Sequence, residues 1–67
     1  MSPKRLGRVI KTLREEKGLS QKALAERVGV TDAYITMLET GVRKNPSLAV
    51  LQRLAKALGV PVTELLG

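Results

Sequence analysis

Leu6, Val9, Ile10 and Leu13 recur at the i, i+3, i+4, i+7 spacing of one helical face, while Lys4, Arg8 and Lys11 fall on another face of the same segment. Ser2 and Pro3 suit an N-cap and first turn and Gly18 suits a stop, so the spacing predicts a first helix over about 3–17. Ser20 is a natural cap for a short second helix, QKALAERV, over 21–28; Gly29 then supplies a residue without a Cβ where the chain must turn sharply. Thr31 caps a third helix, DAYITMLE, which ends near Gly41. The segment GVRKNP holds two helix breakers and leads to Ser47, the cap of a fourth helix carrying Leu48, Leu51, Leu54, Ala55 and Leu58, with Gly59 as its stop. Pro61 opens a last short helix whose Val62, Leu65 and Leu66 are expected to face inward. No stretch reads as a credible strand. The pattern therefore predicts an all-α fold, a compact five-helix bundle forming a single domain over residues 1–67.

The centre of the chain, about residues 20–40, has a more specific pattern. Ala25 is small, Gly29 follows four residues later, and Ile35 and Leu38 occupy one face of the third helix. Two short helices crossing through a glycine-containing turn need these features: a small side chain where backbones approach, glycine at the reversal, and apolar residues on the inner face alone. That is a helix-turn-helix formed by helices 2 and 3. Its outer face is left free to enter a groove.

Composition narrows the chemistry. The 67 residues include no Cys and no His, which excludes disulfide staples, thiolate or imidazole metal sites, and catalysis by either side chain. Glu15 and Glu16 are neighbours on a helix and do not face each other, and no glycine-rich phosphate loop is present, so no enzyme activity and no cofactor are expected. The apolar runs are too short for a transmembrane span, and no secretory signal fits; a cytoplasmic protein is the expectation. The net charge of +6 and a pI near 10.4 point to a polyanionic partner, because clustered Lys and Arg displace condensed counterions from nucleic acid. The distribution supports this over a merely solubilising surface. Lys4, Arg5, Arg8 and Lys11 precede the first acid, whereas residues 47–67 carry only Arg53, Lys56 and Glu64.

From Gly18 to Leu66 the chain resembles the lambda-repressor and Cro-like (XRE-type) helix-turn-helix regulators of bacteria and phages. Gln21, Ala25, Gly29, Ile35, Leu38, Glu39, Gly41, Pro46 and the ALGV of 57–60 all stand where that family has them. The resemblance implies a sequence-specific double-stranded DNA-binding transcriptional regulator, a repressor or controller, whose third helix enters the major groove and which binds a palindromic operator as a homodimer. By position, Thr31, Asp32, Ala33, Tyr34, Thr36 and Met37 would face the bases, and Gln21, Thr40, Arg43 and Lys44 would contact phosphates. Arg14 and Glu39 would form a partly buried ion pair between helices 1 and 3. The family's dimer surfaces implicate the regions of Pro46, Val62 and Leu66, although these residues also suit an ordinary core.

Each position has a plainer alternative. Asp32 either accepts a hydrogen bond from a cytosine amino group or simply favours the positive end of the third helix, an effect worth about 0.3–1 kcal/mol. Tyr34 and Met37 suit packing at the rim as well as contact with DNA, Ala33 suits close approach as well as a thymine methyl, and Arg43 and Lys44 suit a solvated loop. A second functional class also remains open: a protein-interaction module, antitoxin-like or adaptor, with DNA binding secondary. The sequence indicates no small-molecule effector.

Overall fold

Each of the first four helices begins at a hydroxyl. Ser2, Ser20, Thr31 and Ser47 hold extended backbone, and their side-chain oxygens accept hydrogen bonds from the N–H groups of Arg5, Ala23, Tyr34 and Val50. Each bond satisfies a donor that the first helical turn cannot pair internally. The helices that follow are α1 (Pro3–Glu16), α2 (Gln21–Val28), α3 (Asp32–Thr40), α4 (Leu48–Leu58) and α5 (Thr63–Leu66). The computed structural model describes residues 2–66, so the outermost residues of the expected 1–67 domain lie outside it. Among the described residues there is no strand.

Gly29 takes a left-handed backbone, φ 83°, and donates its N–H to Ala25 O at 2.8 Å. This conformation closes α2 and redirects the chain within three residues into α3; a side chain there would be strained. α3 packs against both α1 and α2, α4 packs on α2, and α5 touches α1 and α4. The core draws on all five helices: Leu6, Ile10, Leu24, Ile35, Leu38, Leu54, Leu58 and Leu65 are essentially solvent-free. Side chains of similar size from every element fill one volume, so loss of any one leaves a cavity rather than a shifted surface.

Two close approaches hold the arrangement. Gly7 of α1 lies against the end of α3, where a Cβ would collide with the backbone carbonyl oxygens of Leu38 and Glu39. A glycine within a helix costs about 1 kcal/mol relative to alanine, and here it permits backbone contact that no other residue allows. On the other side of α2, Arg53 of α4 donates from Nη1 to Val28 O at 3.2 Å, placing a cation at the negative end of α2.

Three expectations change: the side that Leu66 faces, the start of α5 and the end of α1. Leu66 is 40% exposed rather than inward-facing, because a single helical turn can bury only one narrow face and Leu65 occupies it. Leu48, in the first turn of α4, is likewise exposed, while Leu51, Leu54, Ala55 and Leu58 are buried. The last helix begins at Thr63 rather than Pro61, although Pro61 O accepts from Glu64 N at 3.0 Å and so starts the turn. α1 ends at Glu16, with Lys17 as its cap.

Candidate nucleic-acid interface

α3 divides into a fixed inner side and an open outer side. On the inner side Ile35 and Leu38 are fully buried, and Glu39 extends the seam with a charge. Arg14 Nε donates to Glu39 Oε2 at 2.6 Å and Nη2 donates to Oε1 at 3.1 Å, a two-point contact between the ends of α1 and α3. The remaining end of the guanidinium donates from Nη1 to Leu19 O at 2.7 Å. Both side chains are largely withdrawn from water, 11% and 3% exposed, which makes the pair a matter of mutual dependence more than of net stability. The hydrogen bond to Glu39 raises the Arg14 pKa above the ordinary guanidinium range; burial opposes it, and the charges of Glu39 and Glu15 add to it. Arg14 therefore stays charged.

From Glu39 the polar contacts continue to the surface. Gln21 Nε2 donates to Glu39 Oε1 at 3.0 Å, and Gln21 Oε1 accepts from the Thr36 hydroxyl at 2.7 Å. The Gln21 amide is thus oriented by two partners, with its second N–H outside both bonds. This places Gln21, at the first residue of α2, directly beside the outer face of α3. A phosphate near that helix end would meet both the amide and unpaired backbone N–H groups.

The outer face itself is short-chained. Thr31, Asp32, Ala33, Thr36, Met37 and Thr40 are exposed, and Tyr34 is half-buried at the flank. Several of their polar atoms serve the helix. Thr31 Oγ1 is the cap, Asp32 Oδ1 accepts from Ala33 N at 2.9 Å, and the Thr40 hydroxyl donates to Thr36 O at 3.0 Å. These bonds keep the polar side chains close to the backbone, and the face presents the Asp32 carboxylate, the Met37 thioether and the methyl groups of Ala33 and the threonines.

The cations nearest this face come from outside the helix. Arg43 and Lys44 are exposed in the segment after α3, and Lys4 lies beside the end of α3, with its Cγ 3.3 Å from where a Gly41 Cβ would stand. Arg8 and Lys11 continue the exposed stripe along α1. Among the described residues Arg14–Glu39 is the only ion pair, so none of these cations has a carboxylate within ion-pair distance. Of the residues expected at a dimer surface, Pro46 is buried within the domain, Val62 is half-buried and Leu66 is exposed. Three contacts were not expected from the pattern of the chain: Gly7 against α3, Arg53 on Val28, and Arg43 lying over the Tyr34 ring. Only the first carried a signal, an unbroken helical pattern running through a glycine.

The family profile for helix-turn-helix proteins matches residues 10–65. The HTH-type transcriptional regulator SinR of Bacillus subtilis is 39% identical over 61 residues, 91% of this chain and 55% of that protein. The immunity repressor of Bacillus phage phi105 is 39% identical over 62 residues, 92% of this chain and 42% of that one. The chain thus spans about half the length of these relatives. Among solved structures, SinR in complex with DNA superposes with a TM-score of 0.88 at 39% identity, covering 92% of this chain and 98% of that one. The restriction-modification controller protein C.AhdI of Aeromonas hydrophila gives 0.88 at 38% identity, with 94% of each chain covered. SinR has also been solved in complex with the protein SinI; that SinR chain gives 0.86 at 39% identity, with 91% of this chain and 59% of that one covered. The relatives named are a transcriptional regulator, an immunity repressor and a restriction-modification controller protein.

Proposed function

The chain belongs to the helix-turn-helix family, and from that premise we propose that it is a sequence-specific double-stranded DNA-binding transcription regulator. It acts as a repressor or controller, with α3 in the major groove and two copies on a palindromic operator. The observation that carries this reading is the outer face of α3: exposed, held rigid by Thr31 and the Gln21–Thr36 bond, and flanked by unpaired cations. The similarity to SinR solved on DNA supports it. Affinity comes from Lys4, Arg43, Lys44 and Gln21 at the amino end of α2 meeting phosphates, with Thr40 beside them; discrimination comes from Asp32, Ala33, Met37 and their neighbours.

Selection of bound duplexes from a random pool tests the reading. A two-half-site consensus, bound with an affinity that falls steeply as salt rises, is expected. Sedimentation with and without the selected duplex tests the dimer, and a strict monomer on a two-half-site operator overturns that part.

The complex between SinR and SinI favours a second reading, a protein partner that modulates or replaces DNA binding. A pool that enriches no sequence, while a protein copurifies in fixed ratio, would establish it instead.

A further inference from the structure

α3 contains neither Lys nor Arg, yet a guanidinium lies on it. Arg43 Cζ stands 5.2 Å from the centroid of the Tyr34 ring, within the range of a cation–π contact. The backbone N–H of the same residue donates to Met37 O at 2.9 Å. Two contacts of different kinds therefore draw one loop residue back onto the helix. Tyr34 and Met37, three positions apart, are surface neighbours, so the anchor and the stack belong to one row of α3.

An unrestrained arginine samples many rotamers and loses that freedom when it binds. A flat ring beneath the guanidinium limits those rotamers beforehand while leaving the N–H groups on its edge open, since stacking uses the face and hydrogen bonding uses the rim. No carboxylate among the described residues pairs with Arg43, so the rim is not consumed within the domain. Tyr34 is half-buried, which fits a fixed platform better than a side chain extended to probe base edges.

We propose that Tyr34 is a positioning residue whose ring holds Arg43 against α3, supplying the recognition surface with the cation the helix itself lacks, poised for a DNA phosphate. The inference rests on the DNA-binding reading above and changes the part Tyr34 plays in it: the ring acts through Arg43 and not by reading a base.

The test measures affinity for the selected duplex, and its salt dependence, for wild type, Tyr34→Phe, Tyr34→Leu, Arg43→Ala and the double variant Tyr34→Leu/Arg43→Ala. Arg43→Ala is expected to weaken binding about tenfold and to reduce the slope of log affinity against log salt by about one, the signature of one lost phosphate contact. Tyr34→Leu is expected to weaken binding about threefold and to flatten the slope in the same sense, with the double variant no weaker than Arg43→Ala. Tyr34→Phe keeps the ring and is expected to match wild type. Additive losses, or an unchanged salt slope in Tyr34→Leu, overturn the proposal; so does a Tyr34→Phe variant as weak as Tyr34→Leu, which would make the hydroxyl the contact. A readout independent of variant folding is the NMR order parameter of the Arg43 Nε–H in the free wild-type protein: a value below about 0.6 shows an unheld side chain and overturns the proposal. Wild-type protein that binds no duplex at any salt overturns the DNA-binding reading as well, whereas duplex binding indifferent to the stack overturns this inference alone.

Discussion

The inner and outer sides of α3 share nine residues and obey opposite rules. Inside, Ile35 and Leu38 are enclosed, Glu39 is held at two points by Arg14, and the carbonyls of Leu38 and Glu39 lie against Gly7 with no room for one more carbon. Outside, Asp32, Ala33, Thr36 and Met37 meet solvent, and their polar atoms bond mainly to their own helix or to Gln21. The inner side fixes where the helix lies, and on the DNA-binding reading the outer side determines what it meets. Substitutions on the two sides should therefore separate stability from recognition.

The largest effect is expected at Gly7. Gly7→Ala gains helix propensity but must drive α1 and α3 apart, for a net loss of about 3 kcal/mol in a urea melt. A variant as stable as wild type would show that the seam has slack. Glu39→Ala comes next, at about 2 kcal/mol or more, because it strands the Arg14 charge in a mostly dry site and frees the Gln21 amide. Because the Arg14 pKa is raised, its stabilising contribution is fully present below the unfolded-state pKa and is lost only as pH rises through the higher folded-state value. That part of the stability should be flat through neutral and mildly alkaline titrations, and an early alkaline loss that vanishes in Glu39→Ala would contradict the assignment. Thr31→Ala removes the α3 cap and should cost about 1 kcal/mol by thermal melt.

The smallest energy carries the most information about the outer side. Asp32 repels phosphate wherever the helix lies, but helps only where its carboxylate meets a donor. Asp32→Ala is thus expected to tighten binding to random DNA about threefold and to tighten operator binding less. Equal tightening on both would reduce Asp32 to a charge that favours the helix end.

The starts and stops of α2, α3 and α4 were legible in the sequence because their causes are local: a hydroxyl three residues before the N–H it caps, and a glycine where the backbone turns left-handed. Gly7 was not, since its reason is the backbone of a helix distant in the chain; from the sequence it is a weak residue in a strong pattern. Leu66 misled for a related reason, because apolarity does not say which of two adjacent leucines a one-turn helix will bury. The outer face of α3 could be placed from the inward positions of Ile35 and Leu38. Its added cation could not, because Arg43 returns through a loop whose course depends on the Met37 carbonyl and the Tyr34 ring. The Arg14–Glu39 pair was reached through family resemblance, and no spacing rule within either helix would have joined the two residues.

The hydroxyl caps and left-handed glycines that bound α2, α3 and α4 lie outside the outward-facing positions of α3, apart from Thr31. The frame and the text it displays are therefore written in largely separate residues. Asp32, Ala33 and Met37 are exposed and bond to no other helix, whereas Thr36, through its bond to Gln21, belongs to the frame as well as to the face. On the DNA-binding reading proposed above, a domain built this way is suited to divergence by rewording, with new operators reached through a few surface changes and no refolding of the scaffold.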